Sequence, residues 1–269
     1  MKVASKNRNR ILAAVVVFLC AAAGIFSIRY GVGREIIEDY RIALASSPET
    51  PYQLATLHFD SAHPDSYNLR RAQYLYTVVE ERDPSYPYVQ HQLARLAFLK
   101  GDFPTALWHI DKELAAHPNH TNSFYVRGLI KGFAGDYAGA AHDYETYLKT
   151  DPTNWAAIND YAWVLLKGDR PLDALIAVDW GLMTWSENPW LLNSKATAHF
   201  ELDQLQLADE AVQRAHIAVA SVTEENWMEA YPGNDPLVAA DGVAAFKKAV
   251  EENMHTISLA LRASQKDVQ

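Results

Sequence analysis

Residues 87–120 read PYVQHQLARLAFLKGDFPTALWHIDKELAAHPNH, and residues 121–154 read TNSFYVRGLIKGFAGDYAGAAHDYETYLKTDPTN. The two stretches are each 34 residues long and align without a gap. Ala94 meets Gly128, Ala106 meets Ala140, and Pro118 meets Pro152. The register continues outward as Ala174 and Ala208, as Ala162 and Ala196, and back to Pro84. A period of this length means stacked helical hairpins. Each hairpin has two helices that cannot bury their apolar faces alone. Small residues belong where helices approach closely, and proline ends the second helix because it lacks a backbone donor. Between the small rungs lie Lys100-Gly101-Asp102, Ala134-Gly135-Asp136 and Lys167-Gly168-Asp169. Glycine there suits a turn of positive φ, and aspartate caps the next helix.

The pattern resembles the tetratricopeptide (TPR) repeat, with a small residue at position 8, glycine near 15, alanine at 20, an aromatic near 24 and proline at 32. In that frame the units are 87–120, 121–154, 155–188 and 189–222, preceded by a degenerate unit over 53–86 that keeps Ala72, Tyr76 and Pro84. Position 24 holds Ile110, Tyr144, Val178 and Val212, so only one of the four is aromatic. Pro189 arrives three residues late, and Asp203 replaces the turn glycine. The resemblance spans residues 53–222 and implies an all-α, right-handed superhelical solenoid. It says little about biological role.

The ends carry other signals. Residues 1–10 form a basic tail with Lys2, Lys6, Arg8 and Arg10. Residues 11–28, ILAAVVVFLCAAAGIFSI, hold no charge and would span about 27 Å as a helix. They are expected to be a transmembrane anchor, with the N-terminus cytoplasmic and the repeats outside. The alternative is a signal peptide cleaved at Ala21-Ala22-Ala23, leaving a secreted or periplasmic chain. Residues 29–52 read as a juxtamembrane helix over Glu35–Ala45 and a linker over Ser46–Pro51. After the repeats, residues 223–269 contain a turn, a helix start capped by Asp235 before Pro236, and an apolar stripe of Val243, Phe246, Val250, Met254, Ile257 and Leu261. That stripe is expected to cover the end of the solenoid, or else to bind a partner helix. Gly242 near its start argues against a long, rigid coil.

Charge and composition narrow the function. The first 34 residues hold six basic and no acidic side chains, so the remainder carries 18 basic against 33 acidic residues, or −15. Nucleic acid is therefore not an expected partner. Cys20 is the single cysteine, so packing alone must hold the fold. His117 and His120 flank an inter-repeat turn without any accompanying ligand cluster, and they read as exposed turn residues. Asn119-His120-Thr121 matches a glycosylation acceptor only as chance allows. No phosphate loop, nucleophile elbow or nucleophile pair is visible. The chain is read as a non-enzyme with no cofactor and no metal.

The resemblance implies a concave groove contacted from positions 2, 5, 9 and 12 of each unit. In the first two units these are Tyr88, His91, Arg95 and Phe98, then Asn122, Tyr125, Leu129 and Gly132. The later two units supply Ala156, Asn159, Trp163 and Leu166, then Trp190, Asn193, Thr197 and Phe200. Tyr88, His91, Arg95, Tyr125, Asn159, Trp163, Trp190 and Asn193 are the candidate protein-binding residues. Asn159 and Asn193 both sit at position 5, where an amide can donate to and accept from an extended backbone. The aromatics supply contact area, unless they fill the core or meet the C-terminal helix. Arg95 suits a carboxylate, but the two-carboxylate clamp of chaperone-binding members is not matched. Trp155, Trp180 and Trp185 read as packing within or between hairpins. The expected function is a membrane-anchored scaffold that binds a protein or peptide, with a role in cell-envelope assembly. The alternatives are a structural subunit that oligomerises through its C-terminal or transmembrane helix, and a small-molecule or glycan-binding domain.

Overall fold

The structure, a computed structural model, describes residues 32–230 and 235–266. Among these residues every regular element is helical. Helix α1 spans Val32–Leu44. Five hairpins follow: α2 (Glu49–His58) with α3 (Leu69–Arg82), α4 (Val89–Leu99) with α5 (Phe103–Ala116), α6 (Thr121–Ala134) with α7 (Tyr137–Leu148), α8 (Trp155–Lys167) with α9 (Pro171–Thr184), and α10 (Pro189–Glu201) with α11 (Leu205–Val219). A short helix α12 (Glu224–Ala230) and a long helix α13 (Ala239–Lys266) complete the chain.

The ladder residues are the core. Ala106, Ala140, Ala174 and Ala208 are fully buried, as are Ala94, Ala162 and Ala196 on the facing helices. Ile110, Tyr144, Val178 and Val212 fill the same layer, and Ala72 and Tyr76 extend it into the degenerate first hairpin. The requirement at position 24 is thus for buried volume rather than for an aromatic ring. At Gly128 a Cβ would stand 3.3 Å from the Ala140 carbonyl and the Tyr144 ring, so the rung must stay small.

The hairpin turns obey one geometric rule with two chemistries. Position 15 takes positive φ in all four complete units: Gly101 (74°), Gly135 (90°), Asp169 (58°) and Asp203 (57°). The expectation that Gly168 supplies this conformation in the third unit is corrected, because Gly168 sits at φ −91° and the turn falls one residue later. Aspartate is among the few non-glycine residues that tolerate this region. The shift has a second effect. In the first two turns Asp102 and Asp136 cap α5 and α7 by accepting from the Thr105 and Gly139 N–H groups. In the later two turns Arg170 and Gln204 occupy the cap position and make no side-chain cap bond.

At the N-terminal end α1 docks through Ile42, packed with Leu54 and Phe59, and through buried Glu38. Glu38 meets His58 at 3.0 Å and Arg71 at 3.2 Å, and Arg71 also holds Asp39 at 2.7 Å. The linker after α1 is shorter than the sequence suggested, because α2 already begins at Glu49. Pro51 is accommodated in its first turn, where backbone N–H groups have no helical acceptor. At the other end α13 lies against α11 and α10. Val250 and Ile257 are buried there, and Val243, Phe246 and Met254 pack beside them. Asp235 accepts from the Leu237 N–H and starts a 3₁₀ turn at Pro236 that leads into α13. Gly242 does not interrupt this helix of 28 residues; the Trp227 indole occupies the space of its missing side chain. No helix among the described residues is long and apolar enough to cross a membrane. The anchor expected over residues 11–28 lies outside the described residues.

Candidate functional site

The inner helices α4, α6, α8 and α10 line a half-enclosed groove of about 950 Å³. Its walls include His91, Arg95, Tyr125, Asn159, Trp163, Trp190 and Asn193, seven of the eight candidate residues. Phe98, Asn122, Leu129 and Ala156 line it as well. One period of 34 residues returns each of these positions to the same side of its own inner helix, so a shared surface follows from the repeat.

The eighth candidate, Tyr88, lies elsewhere. It lines a separate hollow of about 380 Å³ with Glu113, His117 and His120. Tyr88 takes φ 68° immediately before α4 and makes no side-chain cap. Glu113 on α5 reaches across instead, accepting the backbone N–H groups of Tyr88 (3.2 Å) and His91 (3.3 Å). A carboxylate at a helix N-terminus satisfies orphan donors and faces the positive end of the helix dipole. Burial by itself would raise the Glu113 carboxyl, but His120 and the two N–H groups bring it below the ordinary carboxylate range.

His120 is correspondingly not the exposed turn residue that the sequence suggested. Its side chain is buried, with Nδ1 3.2 Å from Glu113 and 2.8 Å from the Ser123 hydroxyl. Both partners meet the same ring nitrogen, so His120 cannot relay a proton between Ser123 and Glu113 as a catalytic triad requires. The Ser123 hydroxyl also meets His91 Nδ1 at 3.0 Å. Burial, followed by the nearby Arg95, holds the His91 imidazole well below its usual pKa and therefore neutral. Among the described residues no group of three or more His, Cys, Asp or Glu side chains is placed to hold a metal ion.

Within the groove the predicted residues have different fates. Arg95 lies with its guanidinium 4.5 Å over the Phe59 ring and donates to Gln92 at 2.9 Å. Trp163 packs against Phe133, with ring centroids 5.1 Å apart. Trp190 is only 5% exposed. It is stacked on Phe246 of α13 at 4.5 Å and 7°, with Trp155 on another side. Asn193 accepts from Asn253 of α13 at 2.9 Å, whereas Asn159 accepts from the Ser194 hydroxyl at 2.9 Å. Gly132, Leu166, Thr197 and Phe200 do not line the groove. Trp163 covers Gly132, Leu166 joins the core, Thr197 bonds its own helix at Asn193, and Phe200 packs near Met254. Trp180 and Trp185 are largely exposed, and their indole N–H groups donate to the Pro152 and Thr153 carbonyls of the preceding inter-repeat turn.

The sequence reading missed Asp160, Asn154, Ser194, Phe246 and the Glu229-Ala230 edge, all of which line the groove. Asp160 is chemically the most distinctive of these. Its Oδ2 accepts the Tyr125 phenol at 2.8 Å. Burial pushes its carboxyl up to about 7, against the opposing hydrogen bonds from Tyr125 and Asn159. A signal existed: Asn159-Asp160 and Asn193-Ser194 are polar pairs 34 residues apart, each directly after an apolar first turn of its inner helix.

No protein-family model matches the chain. The mouse "FK506-binding protein-like" is 30% identical over 108 residues, which are 40% of this chain. The matched stretch is only 31% of that relative's length. Among solved structures, a tetratricopeptide repeat protein from Parabacteroides merdae matches with a TM-score of 0.59 at 15% identity, over 89% of this chain and 94% of that one. PilW, a type IV pilus biogenesis factor, matches with a TM-score of 0.57 at 15% identity, over 78% of this chain and 97% of its own. A double mutant of MamA matches with a TM-score of 0.58 at 14% identity, over 65% and 95% of the two chains. At these identities the likeness speaks for architecture alone, and the architecture is a TPR-type helical solenoid.

Proposed function

We propose that the chain is a non-catalytic scaffold that holds an extended segment of a partner protein in its concave groove, tethered to a membrane through residues 11–28 and acting in envelope assembly. The groove carries the reading. It combines aromatic area from Tyr125, Phe133 and Trp163 with amides from Asn122, Asn154 and Asn159. Amides pair with a peptide backbone in either direction, and rigid aromatic rings supply contact area at low entropic cost. A double variant Trp163→Ala with Asn159→Ala is expected to lose partner capture in a pull-down from the native host. Undiminished capture would remove the groove from the mechanism. Protease added to spheroplasts tests the topology: digestion of the repeats is expected if they are extracytoplasmic, and protection would place them on the cytoplasmic side.

One observation favours a second reading, an assembling subunit. Helix α9 buries Ala174, Val178 and Gly181 but exposes Leu172, Ile176, Trp180 and Met183 on its other side. An exposed apolar stripe of this kind marks an interaction surface. A fragment from residue 35 that sediments as a monomer at high concentration would remove this reading.

A further inference from the structure

We propose that Asp160 determines the specificity of the groove, and that it receives the cationic end of a lysine or arginine side chain from the bound segment. The inference rests on the groove being the binding surface.

The contrast is with a second aspartate, on α7. Asp143 is fully buried and is met by Arg127 and Lys131, each at 2.7 Å. That is the arrangement a buried carboxylate needs, since a charge removed from water must be paired. Asp160 is built differently. Three helices position it with neutral donors: Tyr125 from α6 binds it directly, and Asn159 from α8 donates to it. Ser194 from α10 fixes the Asn159 carbonyl and so turns that amide's N–H groups toward the carboxylate. The influences on its ionisation are burial, a phenol and an amide, with no ammonium or guanidinium among them. It is therefore an oriented acid facing a hollow.

The surroundings fit a basic side chain. Phe133 and Trp163 line the same hollow, and aromatic faces suit both the methylene stem of lysine and the plane of an arginine. Outside the basic N-terminal stretch the chain carries −15, a net charge that attracts basic segments. The ionisation behaviour agrees. A carboxyl held up to about 7 by burial would be drawn into its charged form by an incoming cation. The titratable groups packed around it are Tyr125 from α6 and Tyr144 from α7, the latter phenol held well above its usual range by burial. On α4, His91 stays neutral, and the Arg95 guanidinium in the same groove acts on Tyr125 but is not among the influences on Asp160.

The test uses the full chain in detergent and four pools of octapeptides, random except for a central lysine, arginine, acetyl-lysine or glutamate. Retention of the lysine or arginine pool is expected to exceed that of the acetyl-lysine pool by about ten- to a hundredfold, the range of one charge-assisted hydrogen bond. It should rise between pH 6 and pH 8. Asp160→Asn, nearly isosteric and checked for unchanged helicity, is expected to abolish both the preference and the pH dependence while still retaining the acetyl-lysine pool. Preference for the glutamate pool, or an Asp160→Asn variant that keeps the cation preference, would overturn the assignment while leaving the groove as a binding surface. If the wild-type chain retains none of the pools, the groove reading fails and takes this inference with it.

Discussion

Asn159 and Asn193 occupy the same repeat position, 34 residues apart, yet they live in two different environments. The middle of the groove leaves Asn159 beside Asp160, fixed by Ser194 and facing an open hollow. The C-terminal end presents Asn193 to Asn253 of α13, three residues after Trp190, which is stacked on Phe246. Trp163 and Trp190 form the parallel pair, one on the groove wall and one buried in a seal. A repeat fixes which residues face a surface. What then covers that surface is decided by elements outside the repeat, here α12 and α13.

The largest break in this comparison is Trp190→Ala. Removing a stacked, buried indole is expected to destabilise the chain by about 3–5 kcal/mol in urea unfolding, with faster hydrogen exchange along Ala239–Lys266. Trp163→Ala should cost much less stability while weakening capture. Equal losses from the two substitutions would erase the distinction between seal and groove.

Next comes the acid at the centre of the open region. The Asp160 carboxyl titrates near 4 in the unfolded chain and at about 7 in the fold. Between those values the folded state binds more protons, so stability should fall as pH rises from about 4 to 7 and level off above. Asp160→Asn is expected to remove that slope, a difference on the order of 1–2 kcal/mol at pH 8 after allowing for solvent screening. Parallel wild-type and variant melts across pH would show no groove acid at work.

Smaller still is the amide contact at the sealed end. A double-mutant cycle of Asn193→Ala with Asn253→Ala should give a coupling of about 0.5–1.5 kcal/mol. The cycle of Asn193 with Ser194 replaced instead should give none, because Ser194 serves Asn159. The smallest effect concerns the turns. Asp203→Gly removes the strain of φ 57° and should stabilise by about 0.5–1 kcal/mol, whereas Gly101→Asp should cost a similar amount.

Much of this was legible in the residues. The ladder of Ala106, Ala140, Ala174 and Ala208 announced the hairpins because close helix packing tolerates nothing larger, and all four are buried. Seven of the eight groove candidates line one hollow because a fixed period preserves their orientation. Tyr88 escaped that logic, since a residue just outside a helix does not share its rotation. Asp160 escaped it because a position-based pattern ranks residues by rung and not by what a neighbouring unit donates to them.

The sequence by itself determined the helical period, the register of the rungs and the positive-φ glycines of the first two complete turns, because these depend on contacts within a hairpin and between adjacent ones. Only the tertiary structure decided that Glu113 caps α4, that α13 closes over Trp190, and that Asp160 is held by phenol and amide while Asp143 receives two cations. Those outcomes depend on which distant side chains arrive at the same point in space, and a repeat of 34 residues does not encode that.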